Sequence, residues 1–485
     1  MAQDLKSFTY TERINLVQDS GEIQPQNIDH KITVDQKAPK LGVMLVGWGG
    51  NNGSTLTAGV LANRKGITWK TKTGEKSPNF FGSLTQSVTT KVGLRYNKEA
   101  NTIEDVHKVI KDIVPLVDPA QLEITGWDIS GANIYEACYR AQVLEPTLID
   151  QLEEDMSQMV PLKAVLNPDY VAANQEDRVT NVMTGTNQEC VEKLREDIRT
   201  FSQTVDKVVI LWTANTEKMF NKEVKTGDQL MQMVRENEPL PSSVLYGVAA
   251  ALEGVIYLNG SPQNTVSQGL IDLCTQNKGY IGGADFKTGQ TKFKGIMADF
   301  FIGSGLRLAS CMSYNHLGNN DGKNLSDADT FKSKEISKAG VLQDSVNSNP
   351  VLYPRGRKNI DHTIVIKYCP FVGDSKRAMD EYTAEIFMNG LFTLVTHATC
   401  EDSLLAVPIM IDLIVLAEFF TRVTIDEKQL GPVLSYLSFF FKAPVTNHPE
   451  YVINAFGRQK ETLVNLLKAC AGIPADDATM LHVGY

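Results

Sequence analysis

From Leu41 to Val46 the chain is apolar, from Gly47 to Gly53 it is rich in glycine, and from about Ser54 it takes on the character of a helix. A strand that enters a glycine-rich turn and leaves as a helix narrows the fold more than any other stretch of this sequence. Glycines at 47, 49, 50 and 53 let the backbone turn sharply and approach an anion closely, while the amides that open the helix point at it. The arrangement suits the pyrophosphate of a dinucleotide, with Gly47, Gly49, Gly50, Asn51 and Asn52 as its cradle. The third glycine falls one residue later than G-x-G-x-x-G requires, and the acid expected about 20 residues on is missing, since Ile67-Thr68-Trp69-Lys70 carries no carboxylate. An ordinary glycine-rich turn after a strand fits the same residues. The next strand-like run that ends in an acid is Leu122 to Ile129, which makes Asp128 the candidate partner of a ribose hydroxyl.

A chain of 485 residues is long for one core, so two or three domains are expected. Hydrophobic residues at 42% and charged residues at 21% give it the composition of a soluble globular protein. A formal net charge of −10 argues against a nucleic-acid partner, which needs clustered excess base. The cysteines at 138, 190, 274, 311, 369, 400 and 470 are odd in number and scattered, with no C-x-x-C pair, as in reduced thiols of a cytoplasmic protein. No targeting leader is expected from Met1-Ala2-Gln3-Asp4-Leu5-Lys6. The apolar stretch Leu404 to Phe420 carries Pro408, Asp412 and Glu418, and is expected to be a buried core helix, not a membrane span.

Residues 1 to about 39 are polar with short alternating pieces, an arm that packs elsewhere. Thr68 to Gln86 is a long polar insertion suited to covering a cofactor. Asn101 to Val114 has helical periodicity, Leu122 to Ile129 that of a strand, and Ala132 to Arg140 that of a helix; such alternation predicts a parallel sheet. Val205 to Trp212 is a further strand, ending in Thr213-Ala214-Asn215-Thr216, and Val255 to Leu258 leads to a polar turn at Gly260-Ser261. Ligands of open α/β sheets lie beyond such strand ends. A helix-capping turn fits Thr213 to Thr216 equally well. From about Thr291 a second domain follows, with strands at Val365 to Tyr368 and Leu391 to Thr396 flanking a helix-like segment from Ser375 to Met388.

Four stretches of this second half are unusually polar: Asp285 to Gln290, Asn315 to Gly322, Ser333 to Lys338 and Gly373 to Lys376. Lys334 and Lys338, four apart, share one face of a helix. Their mutual repulsion would be relieved by an anion such as phosphate, and would depress one amine toward the range useful for proton transfer. A solvated basic face is the plainer alternative. Asp374-Ser375 suits the N-cap of a helix beginning near Lys376, and His316 suits a structural loop. No pairing of histidines, cysteines or acids has metal-ligand spacing, so no metal is expected.

Taken together and in order, Gly47 to Ser54, Leu211 to Thr216, Asn259 to Thr265, Ser313 to Gly322 and Cys400 to Leu405 resemble the signatures of myo-inositol-1-phosphate synthases of the eukaryotic type, and the resemblance runs from about Phe8 to about Pro474. It implies an isomerase that converts D-glucose 6-phosphate to 1D-myo-inositol 3-phosphate with NAD reduced and reoxidised in each turnover. Hydride leaves C5 to give a ketone, loss of a C6 proton makes an enolate, C6 attacks the C1 aldehyde, and hydride returns. Every step places negative charge on a sugar oxygen, which a cluster of ammonium groups stabilises in a site closed to water. The resemblance implies Lys334 as the acid/base at the C5 oxygen, Lys376 polarising the C5 ketone and Lys338 holding the phosphate. It has Asp285 and Asp402 orienting these lysines, and Asn320, Asp321 and Asp374 in the same pocket. NAD contacts are implied for Gln175, Arg178, Thr213, Ala214, Asn215, Thr216, Gly260, Ser261, Thr288 and Gly373, besides the glycine turn and Asp128.

Two departures stand out. Gly457-Arg458-Gln459-Lys460 stands where the family has Ser-Lys-Gln-Arg, so Arg458 is expected to supply charge to the site without exchanging a proton. Ala164 replaces a serine near the cofactor and should cost one hydrogen bond. The implied fold is α/β, with a Rossmann-like NAD domain at 40–290, an α+β catalytic and tetramer-forming domain on a mixed sheet at 291–405, and a third part joining 1–39 to 406–485. A homotetramer is implied. The rivals are an NAD-linked sugar-phosphate dehydrogenase and a catalytically silent NAD-binding protein.

Overall fold

A computed structural model describes residues 4–99, 101–342, 346, 349–354, 360–446 and 455–475. Its centre is a six-stranded parallel sheet in the order Tyr280–Gly282, Ile256–Asn259, Lys207–Trp212, Leu41–Val46, Glu123–Asp128, Leu162–Lys163. Strand side chains alternate between faces. Leu41, Val43 and Leu45, with Val209, Leu211 and Leu258, enter one core; Met44, Val46, Val208, Ile210 and Tyr257 enter the other. Both faces are covered, which is why Leu41–Val46 reads as an unbroken apolar run and is buried throughout.

The apolar helix Asp402–Phe420 lies inside the protein against the helix Asn51–Lys65 and the strand Lys207–Trp212. A helix that is apolar all round belongs in a core. The polar groups on it are satisfied internally. Asp412 accepts from Ser83 Oγ, the amides of Leu84 and Thr85, and Thr85 Oγ1. Arg422, just past the helix, pairs with Glu418 and reaches the carbonyls of Asp35 and Pro115.

A second, four-stranded mixed sheet runs in the order Asp361–Tyr368, Arg307–Leu317, Ser375–Glu385, Leu391–Glu401. The first pair is parallel and the others antiparallel. A third sheet joins both parts of the chain: the hairpin Leu5–Val17 with Ile23–Asp35 pairs through its second strand with Val423–Ile425. The expected arm is this hairpin.

Three local expectations fail. Asn101 to Val114 is not helical; Thr102–Val109 pairs with Thr89–Asn97 as a hairpin, which its threonine, isoleucine and valine residues favour. Ser375–Glu385 is a strand, not a helix. Its lysine, alanine, methionine and glutamate residues favour a helix by themselves, but pairing on both sides overrides that preference, and Ala378, Asp380, Tyr382 and Ala384 turn inward with period two. Asp374 therefore caps no helix at Lys376. It caps the helix Asp402–Phe420 instead, taking the amide of Ser403 at 2.8 Å and its hydroxyl at 2.9 Å. The insertion at 68–86 forms a small hairpin, Trp69–Thr71 with Gly74–Lys76, and a turn anchored on Asp412; none of it borders the large cavity described below.

Candidate active site

The C-terminal ends of the six parallel strands open into one crevice, and the polar ends of the mixed sheet close over it. The glycine turn forms its floor. Gly47 has φ +87°, and a Cβ there would lie 2.7 Å from Ala214 Cα; a Cβ on Gly53 would lie 2.4 Å from the Trp48 carbonyl oxygen. Only glycine meets both demands. The helix Asn51–Lys65 begins at Gly50 with no side-chain cap and no acid in its first turn, so its first amides stay available to an anion.

Asp128 accepts from the amide of Gly49 at 2.8 Å and that of Ser130 at 2.9 Å, bracing the turn while it borders the crevice. Burial raises its pKa against these two bonds. Thr213, Ala214, Asn215, Thr216, Gly260, Ser261, Gln175, Arg178 and Thr288 border the same crevice, as do Gly47, Gly50, Asn51 and Asn52. Gly49 and Gly373 do not; each supports a neighbour, Gly49 through Asp128 and Gly373 by accepting from the Gly318 amide. Gln175 accepts from Asn215 at 2.9 Å and from Asn320 at 2.9 Å, tying the two sheets' loops together. Thr213 Oγ1 and Arg178 Nε are buried on the crevice wall with no partner among the described residues. A cradle that excludes side chains, free helix amides, an acid on the crevice wall and unused donors fit a dinucleotide such as NAD.

The opposite wall is a cluster of amines. Lys334 and Lys338 lie on the helix Ala328–Ala339, Lys376 on the strand Ser375–Glu385, and Lys442 follows the turn Ser435–Phe440. Asp285, held at φ +64° where the strand Tyr280–Gly282 ends, accepts from Lys442 at 2.8 Å, Lys334 at 3.0 Å and Ser337 at 2.7 Å. Asp402 accepts from Lys376 at 3.1 Å. Asn319, Asn320 and Asp321 complete this wall. Asn319 and Asn51 also donate to Asp374, which lies behind the wall and not on the cavity.

Burial works against charge on all these groups, and their neighbours decide the outcome. For Lys334 the carboxylates of Asp285 and Asp321 outweigh burial and hold the ammonium above its ordinary range. Asp402 does the same for Lys376. Burial would raise Asp285 and Asp402, but the amines beside them win and keep both ionised. Lys442 is pushed down to about 8, first by burial and then by Lys334 and Lys376, against the pull of Asp285. Burial, with Lys376, Lys294, Lys442 and Lys334 nearby, takes Lys338 well below the ordinary lysine value. Burial also raises Asp321, and lifts Glu217, on the crevice wall next to Thr216, to about 7. Lys334 and Lys376 are thus the amines held most firmly as cations, and Lys442 and Lys338 those that lose a proton most readily.

Arg458, expected to supply charge to the site, does not border the cavity. It sits exposed on the helix Phe456–Ala469, away from the cavity, while its neighbour Gln459 is buried and accepts from Lys287 at 2.7 Å. The cavity's fourth amine is Lys442, missed because a lone lysine in Phe439-Phe440-Phe441-Lys442 has no motif. The signal was a charge adjoining an apolar run that had to be buried. His316 lies on the strand Arg307–Leu317, outside the cavity, and Ala164 borders the crevice as expected. Among the described residues no group of three or more histidines, cysteines or acids is placed to hold a metal.

Residues 41–468 match the model of an NAD-binding family described as myo-inositol-1-phosphate synthase. Inositol-3-phosphate synthase 1 of Oryza sativa is 50% identical over 95% of this chain and 91% of its own length. Inositol-3-phosphate synthase 1-A of Xenopus laevis is 48% identical over 95% and 83%. The crystal structure of inositol-3-phosphate synthase from Caenorhabditis elegans superposes with a TM-score of 0.94 at 46% identity, covering 98% of this chain and 95% of that one. A myo-inositol-1-phosphate synthase-related protein from Thermotoga maritima shares the fold, with a TM-score of 0.63 at 19% identity.

Proposed function

The chain belongs to the myo-inositol-1-phosphate synthase family and is an enzyme of that type, and from this premise we propose that it converts D-glucose 6-phosphate to 1D-myo-inositol 3-phosphate by an NAD-dependent oxidation and reduction internal to one turnover. The observation that carries the reading is the set of four amines, Lys334, Lys338, Lys376 and Lys442, closing the same cavity that the glycine turn floors. A simple dehydrogenase has one oxygen to stabilise; an oxidation, enolisation and ring closure on one bound sugar has several.

NAD, when bound, supplies a reversible hydride acceptor for the sugar's C5. The protein does the rest. Lys334 and Lys376, kept charged by Asp285 and Asp402, stabilise the C5 oxygen, and Lys376 polarises the ketone there. Lys442, which titrates near 8, is the amine suited to take a proton and return it during enolisation and ring closure. Lys338 and the first amides of the helix Gly289–Gly303, which starts beside Thr288 on the cavity wall, hold the phosphate. Asn320, Asp321 and the Gln175–Asn215–Asn320 amides fix the sugar and cofactor sides of the cavity against each other.

The homotetramer proposed for this chain draws support from the mixed sheet, where Phe371, Phe387, Met388, Leu391 and Val395 are exposed on and beside an edge strand. The cytoplasm suits seven cysteines that are all free thiols. With purified protein, glucose 6-phosphate and substoichiometric NAD, inositol phosphate should accumulate beyond the NAD supplied without lasting NADH absorbance. NADH equal to product would point to the dehydrogenase, and cofactor binding without any product to the silent protein.

A further inference from the structure

Lys338 borders the reacting cavity and also a second chamber, walled by Lys294, Asp380, Gln290, Asn315 and Ser313, with about 10 Å³ of room for the centre of a water molecule. That is space for one water. Asp380 stands on the strand Ser375–Glu385, on the same sheet as Lys376, and is only 5% exposed. Its Oδ2 accepts from Tyr382 at 3.3 Å, but Oδ1 is buried without a partner among the described residues. Gln290 Nε2, on the same chamber, is buried and unpartnered too. An acceptor and a donor without a protein partner on one small chamber are both satisfied by a single water between them.

Among the described residues, the three carboxylates that stand among the cavity's amines are committed. Asp285 is taken by Lys334, Lys442 and Ser337, Asp402 by Lys376, and Asp321 faces Lys334 and Lys376. Lys338 has no ion pair among the described residues, and its neighbour Lys294 lies 3.3 Å from His362 Nε2. Five amines crowd this corner, and the one facing both cavities has no direct counter-charge.

We propose that Asp380, through a water it shares with Gln290, is the counter-charge that keeps Lys338 an ammonium and so sets the site's affinity for the phosphate of its substrate. The proposal rests on the reading of Lys338 as a phosphate-holding group. Asp380 is then a positioning residue that acts through Lys338 and never touches the sugar. Its loss weakens phosphate binding most where Lys338 is closest to losing its proton, which is toward alkaline pH.

The test compares the parent with Asp380→Asn and Asp380→Glu. Two quantities are followed from neutral to alkaline pH: KM and kcat for glucose 6-phosphate, and the Kd of inorganic phosphate by calorimetry on the NAD-loaded protein. For Asp380→Asn, KM and the phosphate Kd should rise about tenfold, and the pH at which KM climbs should move down by about one unit, with kcat at saturation within about threefold of the parent. Asp380→Glu should recover most of the affinity. Profiles that superpose on the parent's would overturn the proposal. So would a joint fall of kcat, NAD affinity and melting temperature that Asp380→Glu does not rescue, since that marks a structural role. Because phosphate calorimetry needs no turnover, it decides the matter even if the parent makes no inositol phosphate.

Discussion

Asp285 is the carboxylate on which two of the cluster's amines meet, and replacing it by asparagine removes one charge while keeping its shape. In the parent its oxygens accept from Lys442 at 2.8 Å, Lys334 at 3.0 Å and Ser337 at 2.7 Å, with the side chain almost wholly buried. In Asp285→Asn the buried ammonium groups of Lys442 and Lys334 lose the carboxylate that both bond, and Lys334 keeps only the field of Asp321 and Asp402, a change that costs about 3–5 kcal/mol. Lys442 is already pushed down to about 8, so in the variant it gives up its proton within the neutral range and removes one of the two like charges. The loss should therefore settle near the lower end, about 3 kcal/mol at neutral pH. Its pH dependence has a definite sign. The folded protein holds Asp285 below its ordinary pKa, so the stabilisation is present above the unfolded carboxylate value of about 4 and disappears as pH falls through the folded one. Urea denaturation of parent and variant at several pH values measures the gap, which should be full at neutrality and close in acid. Turnover, with Lys334 no longer held, should fall at least about 100-fold. A variant as stable as the parent within about 0.5 kcal/mol, or a gap that widens toward acid, would refute the pairing.

Lys442→Ala should retain NAD binding while turnover drops about 100-fold or more; the parent's rate should rise with pH through about 8 as the Lys442 ammonium loses its proton, and that limb should vanish in the variant. Arg458→Ala should leave kcat and KM within about twofold, because the side chain points into solvent; a loss beyond about tenfold would restore it to the site. Asp412→Ala deletes a buried carboxylate with four hydrogen bonds and should cost about 3 kcal/mol, read as a lower urea midpoint with unchanged slope. Gly47→Val forces a branched side chain into a positive-φ turn against Ala214 and should abolish NAD binding, measured by fluorescence quenching, without preventing folding of the mixed sheet.

The parallel sheet was legible because its strands are buried on both faces and so appear as unbroken apolar runs, each closed by the polar tip that lines the crevice. The mixed sheet was only half legible. Leu391–Glu401 carries its own β-branched signal, but Ser375–Glu385 is made of helix-favouring residues and becomes a strand only through the partners on either side, which no local window contains. Asp374 shows the same limit: its capping chemistry is plain in the sequence, but the helix it caps begins 28 residues later, at Asp402. Lys334 and Lys338 stood out by their spacing of four on a helix, and Lys376 through motif resemblance. Lys442, Lys294 and Asp380 did not, since each is a single charged residue whose meaning arises only when distant segments fold together. How readily each amine keeps its proton was hidden for a further reason: Lys334 and Lys442 share one carboxylate that lies far from both in the sequence.

In the proposed cycle hydride leaves and returns to the same carbon inside one closed site. Glucose 6-phosphate carrying deuterium at C5, turned over with a small amount of unlabelled NAD, tests it directly by mass spectrometry and deuterium NMR of the product. The label should remain, undiluted, on the carbon of inositol phosphate that derives from C5, with none in the solvent or in recovered cofactor. Deuterium washed into solvent, or found on free NADH beside an unlabelled product, would contradict the account.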